Sequence, residues 1–496
     1  MQPFKIMKRT LKFYGLSLVI LLSLQSCEKW FDVTANNQIK AEDQFSSVDG
    51  FKDALMGVYL SMGNGAIYGL NTSYNLVDVL SQQYAAFIAG NTEVGEIQKF
   101  NYTHVSSERN IKNMWDKYYF SIANINSLLE HIEKSEFAWY QGEKEIIKGE
   151  LLGLRAFLHF DLLRFFGRSN YANRPDLQAR LTIPYALKYS KDYPVQYSYS
   201  ETFELMEKDI AESLTLLKFD PISKGTLISN EAMLNINRDG FYDKRKNRMN
   251  YYAVKALQAR VFSWQGGAKM KDAAEAAEEV IADSYAKLLG QNESVNLNKT
   301  IVQEQLFGLK VNNLQNSQFY FDGDLLTNPF ALRMQGATVA EVYETEIPEI
   351  GAADIRFNTL LINGNAGYVS SKLVNRSMND LDFNVIPLIK IPEMYYIASE
   401  YYASNNLSKA IQLLEKVRES RRIVQPLPAN LNSETFSQEL LKEYRKEYVA
   451  EGQLFFYYKR LGLQHIPNYS ASIIADDKIY MLPFPPSEIE FGNREQ

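Results

Sequence analysis

His104, His131, His159 and His465 stand far apart, and no two share the spacing of a metal-binding pair. The chain has no H-E-x-x-H, no G-x-S-x-G and no Gly-rich loop closing on Gly-Lys-Ser/Thr. His159 lies in an apolar helical stretch, which suits a packed, hydrogen-bonded ring better than a general base. Gly63-Asn64-Gly65 with Gly69 lacks the preceding strand of a dinucleotide loop and reads as a turn. Asp322-Gly323-Asp324 hints at calcium, but no Glu completes an EF-hand loop. It too reads as a turn, and no metal or cofactor is implied. Glu443, Glu447 and Glu451 recur every fourth residue with Arg445 and Lys446 between them. That pattern imitates an acid/base array, yet it fits a solvated or internally paired helix face. Two carboxylates at the right separation hydrolyse glycosides. With 59 acidic residues a glycosidase stays open as a rival reading.

Binding chemistry has a firmer foothold. A sugar presents an apolar face to an aromatic ring, while amides and carboxylates pair its hydroxyls. Aromatic residues make up 13% of the chain, but most fall on helical stripes where core packing is the default. Trp115 and Trp264 belong to such helices, and Trp30 to the leader's edge. Trp139 lies between two helices, with the best prospect of exposure among the tryptophans. The better candidates sit in loops: Asp78, Gln82, Gln83 and Tyr84 in the first; Tyr320, Phe330 and Arg333 in the second; Tyr368 beyond. Tyr185, Tyr189, Tyr193, Tyr197 and Tyr199 form either an exposed rim or a loop tacked onto the body.

The elements that must position these residues are mostly helices. Ile111, Trp115, Tyr118, Ile122, Ile125, Leu129 and Ile132 step by four and three, an apolar stripe on a long helix. A second helix, over about 144–166, carries Ile147, Leu151, Leu154, Leu158, Leu162 and Phe165 on one side and stops at Gly167. Ser198 with Glu201 forms a capping box that opens a third helix, through about Leu217. Ala253–Val261 and Ala273–Ile281 flank Gly266-Gly267; Tyr395–Tyr402 and Ala410–Val417 flank Asn405-Asn406. Each pair has the size of a tetratricopeptide unit of ~34 residues, although the two lie far apart. Residues 284–392 are rich in Asn, Gly and Pro, with one short strand at Glu304–Val311. Loops of that length are usually functional, as is the Gly/Asn/Tyr-rich stretch 61–105.

Lys5, Lys8, Arg9 and Lys12 precede an apolar run from Leu16 to Leu24, then Gln25-Ser26-Cys27. This layout is a secretory signal, with an apolar run shorter than the ~20 residues of a spanning helix. Leu24-Gln25-Ser26-Cys27 resembles a lipobox, which makes Cys27 an acylation site. One thiol forms no internal disulfide, so exported chains have little other use for it. Removing residues 1–26 leaves 49 basic against 59 acidic residues, a net charge near −10. Such a balance excludes a nucleic-acid binder and adsorption to anionic lipid.

The order of several motifs resembles the SusD/RagB surface lipoproteins of Bacteroidota. Cys27-Glu28-Lys29-Trp30-Phe31-Asp32 is similar to that family's start, and Asp43-Gln44-Phe45 through Tyr59 to its first helix. Trp115, Tyr118, Ile122, Asn124 and Asn126 fit its W-x-x-Y pattern, and Leu154-Arg155-Ala156-Phe157 through Gly167 its R-A-F/Y segment. Glu443, Arg445, Glu447, Glu451-Gly452 and Lys459-Arg460 resemble its late acidic helix, and Leu482-Pro483-Phe484-Pro485 with Glu488-Ile489 its closing motif. Lys390 and Tyr197 stand where arginines are usual, and a longer loop follows Gly167.

The resemblance implies a mainly α fold, with tetratricopeptide-like pairs packed against a loop-rich ligand-binding half with a few short strands. It implies a signal peptide at 1–26, an N-terminal half at 27–230 and a C-terminal half at 231–496 in one compact body. It further implies a lipid-anchored place on the outer face of the outer membrane, over a SusC-like TonB-dependent barrel transporter. There the chain captures oligosaccharide without catalysis. An oligopeptide ligand, a surface glycosidase and a helical-repeat scaffold are the alternatives.

Overall fold

The computed structural model describes residues 41–87, 92–296, 298–321, 328, 330–374, 382–470 and 472–496. Residues 1–26, read above as a signal peptide, Cys27 and Asp322-Gly323-Asp324 lie outside the described residues. Residues 1–50 and 51–496 are separate compact units, and the second carries everything that follows.

The long stripe becomes helix α1, Val105–Lys134, which buries Ile111, Trp115, Tyr118, Ile122, Ile125 and Ile132. It packs on α2, Glu143–Phe166, which Gly167 caps through a backbone bond to Leu163. The apolar pattern predicts one buried side for α2; the structure buries every face beyond its first turn. It is enclosed by α1, by α3 (Tyr199–Leu216) and by α4 (Tyr251–Gln265). Close approach is possible because Gly149 and Gly153 present no side chain. A Cβ there would lie 2.8 Å from Leu217 Cγ and 2.7 Å from Val254 Cγ2, respectively. Buried charges on α2 survive because each is paired. Arg155 grips Asp209 through two bonds of 2.7 and 2.6 Å, and Glu150 accepts from Arg248 at 3.0 Å and from Arg245. The capping box of α3 is present, Ser198 and Glu201 each satisfying the other's backbone.

Helix α4 and α5 (Lys269–Asp283) form the first helix pair, and α6 (Ile391–Asn405) and α7 (Leu407–Ser420) the second. Ala253, Ala256, Ala273 and Ala277 are buried at the seam, where small side chains let backbones come near. Although the pairs are distant in sequence, α5 packs against α6, so the two stack side by side. Tyr402 on α6 donates to Glu278 on α5 at 2.9 Å. The fold is mainly α, with tetratricopeptide-like pairs and few strands.

Among the described residues the strands form three antiparallel ribbons: β1 (Leu181–Pro184) with β2 (Gln196–Ser198), β3 (Gln305–Lys310) with β6 (Val385–Lys390), and β4 (Leu361–Gly364) with β5 (Gly367–Ser370). The middle ribbon pairs Gln305 with Lys390 and Lys310 with Val385, then passes directly into α6. It ties the loop-rich region to the helix pairs.

Helix α8, Ser433–Glu447, carries the acidic array, and α9 is Leu454–Leu461. Glu443 and Glu447 are buried, so the face is internally paired rather than solvated. Glu451 falls in the turn past the end of α8, a correction to the single-helix reading. Glu447 accepts from Arg421 at 2.9 Å, Lys390 at 2.9 Å and Arg356 at 3.2 Å. Glu443 accepts from Arg356 at 2.7 Å and Arg418 at 3.2 Å. Lys390 reaches both Glu447 and Glu451 at 2.9 Å.

Candidate functional site

The first loop cluster is an interior clamp. Asp78 Oδ2 accepts from the Ala450 amide at 2.8 Å and Oδ1 from the Gly452 amide at 2.9 Å, while the Tyr84 hydroxyl also donates to Oδ2. Both partners need the clamp: Ala450 and Gly452 have φ of +61° and +66°. A Cβ at Gly452 would meet Ser73 O at 2.1 Å. Burial pushes the Asp78 carboxyl up to about 6, against the hydrogen bonds that pull it down. A carboxyl near that value suits a general acid. Asp78, however, is 2% exposed with both oxygens occupied.

Gln82 donates to Gln98 O at 2.8 Å and Gln83 to Arg445 O at 3.2 Å. Gln98 returns a bond to Tyr84 O at 3.0 Å. Asp78, Gln82, Gln83 and Tyr84 are thus buried and committed to holding the loop, where the sequence suggests ligand contact.

That loop delivers a backbone seam. The Ala85 amide donates to Arg333 O at 2.7 Å, the Leu332 amide to Tyr320 O at 2.8 Å, and Met334 and Tyr368 exchange bonds of 2.8 and 2.9 Å. Tyr84, Tyr320, Arg333 and Tyr368, dispersed over nearly 300 positions, therefore meet along neighbouring chain segments. Tyr320, Phe330, Arg333 and Tyr368 are half-buried. Phe319 projects further, its ring 5.4 Å from Phe330 and 5.5 Å from Tyr320. Tyr74 backs Tyr320 at 6.2 Å, and Phe357 backs Tyr368 at 6.1 Å. Burial, and secondarily the charge of Glu93, raise the Tyr320 hydroxyl's pKa, so the ring stays a neutral donor.

Arg333 has a buried Nε without a hydrogen-bond partner among the described residues. An unsatisfied guanidinium N–H costs stability and gains from an incoming acceptor. Asn328 shapes the turn, donating to Phe319 O at 2.7 Å and accepting from the Phe330 amide at 2.9 Å. Phe319 and Asn328 escape the sequence reading, although the Phe319-Tyr320-Phe321 run between polar residues is a usable signal. The seam can stack rings and donate hydrogen bonds.

Other candidates have structural employment. His159 is fully buried, its Nδ1 2.9 Å from Arg155 O and its Nε2 accepting from the Ala186 amide at 3.0 Å. Trp115 and Trp264 are buried, whereas Trp139 is half-buried with its indole N–H on Ser135 Oγ at 2.9 Å. Tyr185 and Tyr199 are core residues; Tyr189 and Tyr193 are exposed. Among the described residues no acidic, histidine or cysteine group could hold a metal. No described helix is long and apolar enough to cross a membrane.

Residues 29–234 match the SusD-like family described as starch-binding and associating with the outer membrane. Solved structures share the fold. A SusD superfamily protein from Bacteroides thetaiotaomicron is 23% identical, covers 90% of this chain and 98% of its own, and superposes with a TM-score of 0.70. A SusD-like carbohydrate-binding protein from Bacteroides vulgatus is 16% identical over 90% and 96% of the two chains, TM-score 0.69. A laminarin-binding SusD-like protein is 17% identical over 89% and 97%, TM-score 0.64. No curated protein matches the chain in sequence.

Proposed function

We propose, from the premise that the chain belongs to the SusD-like family, that it is a non-catalytic surface lipoprotein handing oligosaccharide to a TonB-dependent outer-membrane transporter. The observation that carries the binding role is the seam of half-buried rings around Arg333. Its aromatic faces suit the apolar side of a sugar ring, and its free guanidinium valence suits hydroxyl oxygens. The family's starch-binding description and the laminarin-binding neighbour support the glycan assignment. A tethered binder raises the local concentration of dilute oligomers at the transporter's mouth.

Calorimetric titration with glycan and peptide panels tests the ligand. Tyr320→Ala and Arg333→Ala are each expected to weaken oligosaccharide binding by about tenfold or more, since a hydrogen bond to a charged group contributes about 1.5–3 kcal/mol. Unchanged affinity in both would remove the seam from consideration. An oligopeptide ligand shares the delivery role, and Arg333, able to receive a carboxylate, favours it. Heat from peptides alone overturns the sugar assignment. Sustained polysaccharide turnover, lost on mutating one carboxylate, would make the chain an enzyme instead.

Cys27 is the proposed anchor, its acyl chains each contributing about 0.8 kcal/mol per buried methylene. Cys27→Ser is expected to move the protein from the membrane fraction to the soluble one and to abolish labelling by radioactive palmitate. Persistent membrane association of that variant would refute lipid anchoring. Purification of the wild type from outer membranes should recover a barrel transporter; recovery of other partners alone would favour a scaffold.

A further inference from the structure

A second, polar cleft opens on the helix-pair side of the molecule, built from elements that the seam does not use. It has a volume of about 550 Å³, within the range of small-ligand sites. Its floor is the Gly266-Gly267 turn between α4 and α5, where a Cβ on Gly267 would meet nothing within 4 Å. It is lined by Tyr401, half-buried, and Ser404 on α6 and by Ser433 and Ser437 at the start of α8. The Ser404 and Ser433 hydroxyls are hydrogen-bonded to each other at 3.2 Å, so the two elements touch there.

Through Ser263 and Arg460 the cleft adjoins an inner chamber of about 40 Å³, more than the ~10–15 Å³ that one water needs. Arg260 lines this chamber at 5% exposure. Its Nε and Nη2 grip Glu393 at 2.6 and 2.5 Å, but its Nη1 is buried without any partner among the described residues. A fully buried guanidinium N–H left unsatisfied calls for an acceptor in the chamber.

The charges around the site are already balanced. Arg460 donates to both oxygens of Glu400 at 2.9 and 2.5 Å, Arg164 is paired with Asp161, and Arg260 with Glu393. Lys271, which also lines the cleft, is exposed and only loosely paired with Glu275 at 3.5 Å, so an ionic ligand would meet no buried unpaired counter-charge. Arg260 Nη1, a bare glycine turn, one tyrosine ring and the acceptor capacity of four serine hydroxyls remain, Ser263 donating to Arg260 O and Ser437 to Ser433 O at 2.9 Å each.

We propose that this cleft is a second binding site, for a neutral, hydroxyl-rich ligand of two or three sugar rings, with a ligand hydroxyl or its bridging water satisfying Arg260 Nη1. The choice of ligand class rests on the glycan reading above; the location does not.

Titration of the full mature chain with laminaritriose and maltotriose, following stoichiometry, tests it. Two sites are expected. Ser437→Trp, on an exposed position, and Tyr401→Ala should each abolish one of them or weaken it at least tenfold, while Tyr320→Ala leaves that site intact. Crystals soaked in the same trisaccharide should show density against Ser404, Ser433 and the Gly267 turn. If both cleft variants bind as the wild type does, or if no neutral trisaccharide binds, the inference is overturned. Loss of all binding in Tyr320→Ala alone would also overturn it and leave the seam standing. Retention of binding in Tyr320→Ala and Arg333→Ala with loss in Ser437→Trp would instead remove the seam and keep the cleft.

Discussion

Glu447→Ala is expected to lower the free energy of unfolding by about 3–5 kcal/mol, the cost of breaking a buried ion pair by removing one partner. Its carboxylate receives Arg421, Lys390 and Arg356, at side-chain exposures of 0%, 4% and 1%. Truncation leaves three desolvated cations short of an acceptor. Arg421 keeps Glu304 at 2.7 Å and Arg356 keeps Asp354 at 2.7 Å, so collapse is not expected. Urea denaturation should show the midpoint falling with the slope unchanged. Glu447→Gln, nearly isosteric, should lose almost as much, because the missing quantity is charge. A surface control, Asp116→Ala against Lys112, should stay within about 0.5 kcal/mol. A loss below about 1 kcal/mol in Glu447→Ala would mean that water reaches the cluster.

The same cluster positions the seam. Lys372, two residues beyond β5, donates to Glu447 O at 2.7 Å, Val449 O at 3.0 Å and Glu451 at 2.6 Å. Tyr368 sits on β5, so the turn after α8 fixes one side of the candidate binding surface. Asp78 fixes the other side by clamping that turn at Ala450 and Gly452. The geometry of the loop seam therefore depends on carboxylates buried away from its surface.

Sequence reasoning reaches the local half of this arrangement. The stripe from Ile111 to Ile132, the Ser198–Glu201 box and the Gly167 stop are each set by residues within a turn or two. They appear in the structure where the pattern puts them. The four-residue spacing of Glu443 and Glu447 is equally local, but their cations arrive from β6, from the end of α7 and from the short helix Ile355–Asn358 before β4, which no periodicity announces. Asp78 and Tyr84 are the sharper case. Polar and aromatic residues amid Gly and Asn read as loop surface, yet the backbone partners of Asp78 lie 372 and 374 positions away, and that of Tyr84 lies 366 away, and they draw both inside. Tyr320, Arg333 and Tyr368 stay half-buried, because it is their main chains that make the long-range bonds.

Acid is expected to act on two buried groups in opposite directions. Burial holds the His159 imidazole down at about 3 rather than 6.5, and the ring accepts from Ala186 only while neutral. Unfolding between those values takes up a proton. Its contribution is therefore fully present above 6.5 and lost as pH falls toward 3, about 5 kcal/mol in all at about 1.4 kcal/mol per unit. Asp78 runs the other way. Raised from 3.8 to about 6, it holds a proton that the unfolded chain releases. Its contribution is fully present below 3.8 and lost as pH rises through 6, about 3 kcal/mol in all. Between 3.8 and about 6 the two slopes nearly cancel, so this pair should leave stability almost flat there. Asp78→Asn removes one arm and should expose a loss of about 1.4 kcal/mol per pH unit on acidification; His159→Gln should expose a gain of similar size. Urea titrations at three pH values within that window read both slopes. Parallel curves for wild type and both variants would show that neither group titrates from a buried state, and with it would go the sealed clamp beneath the seam.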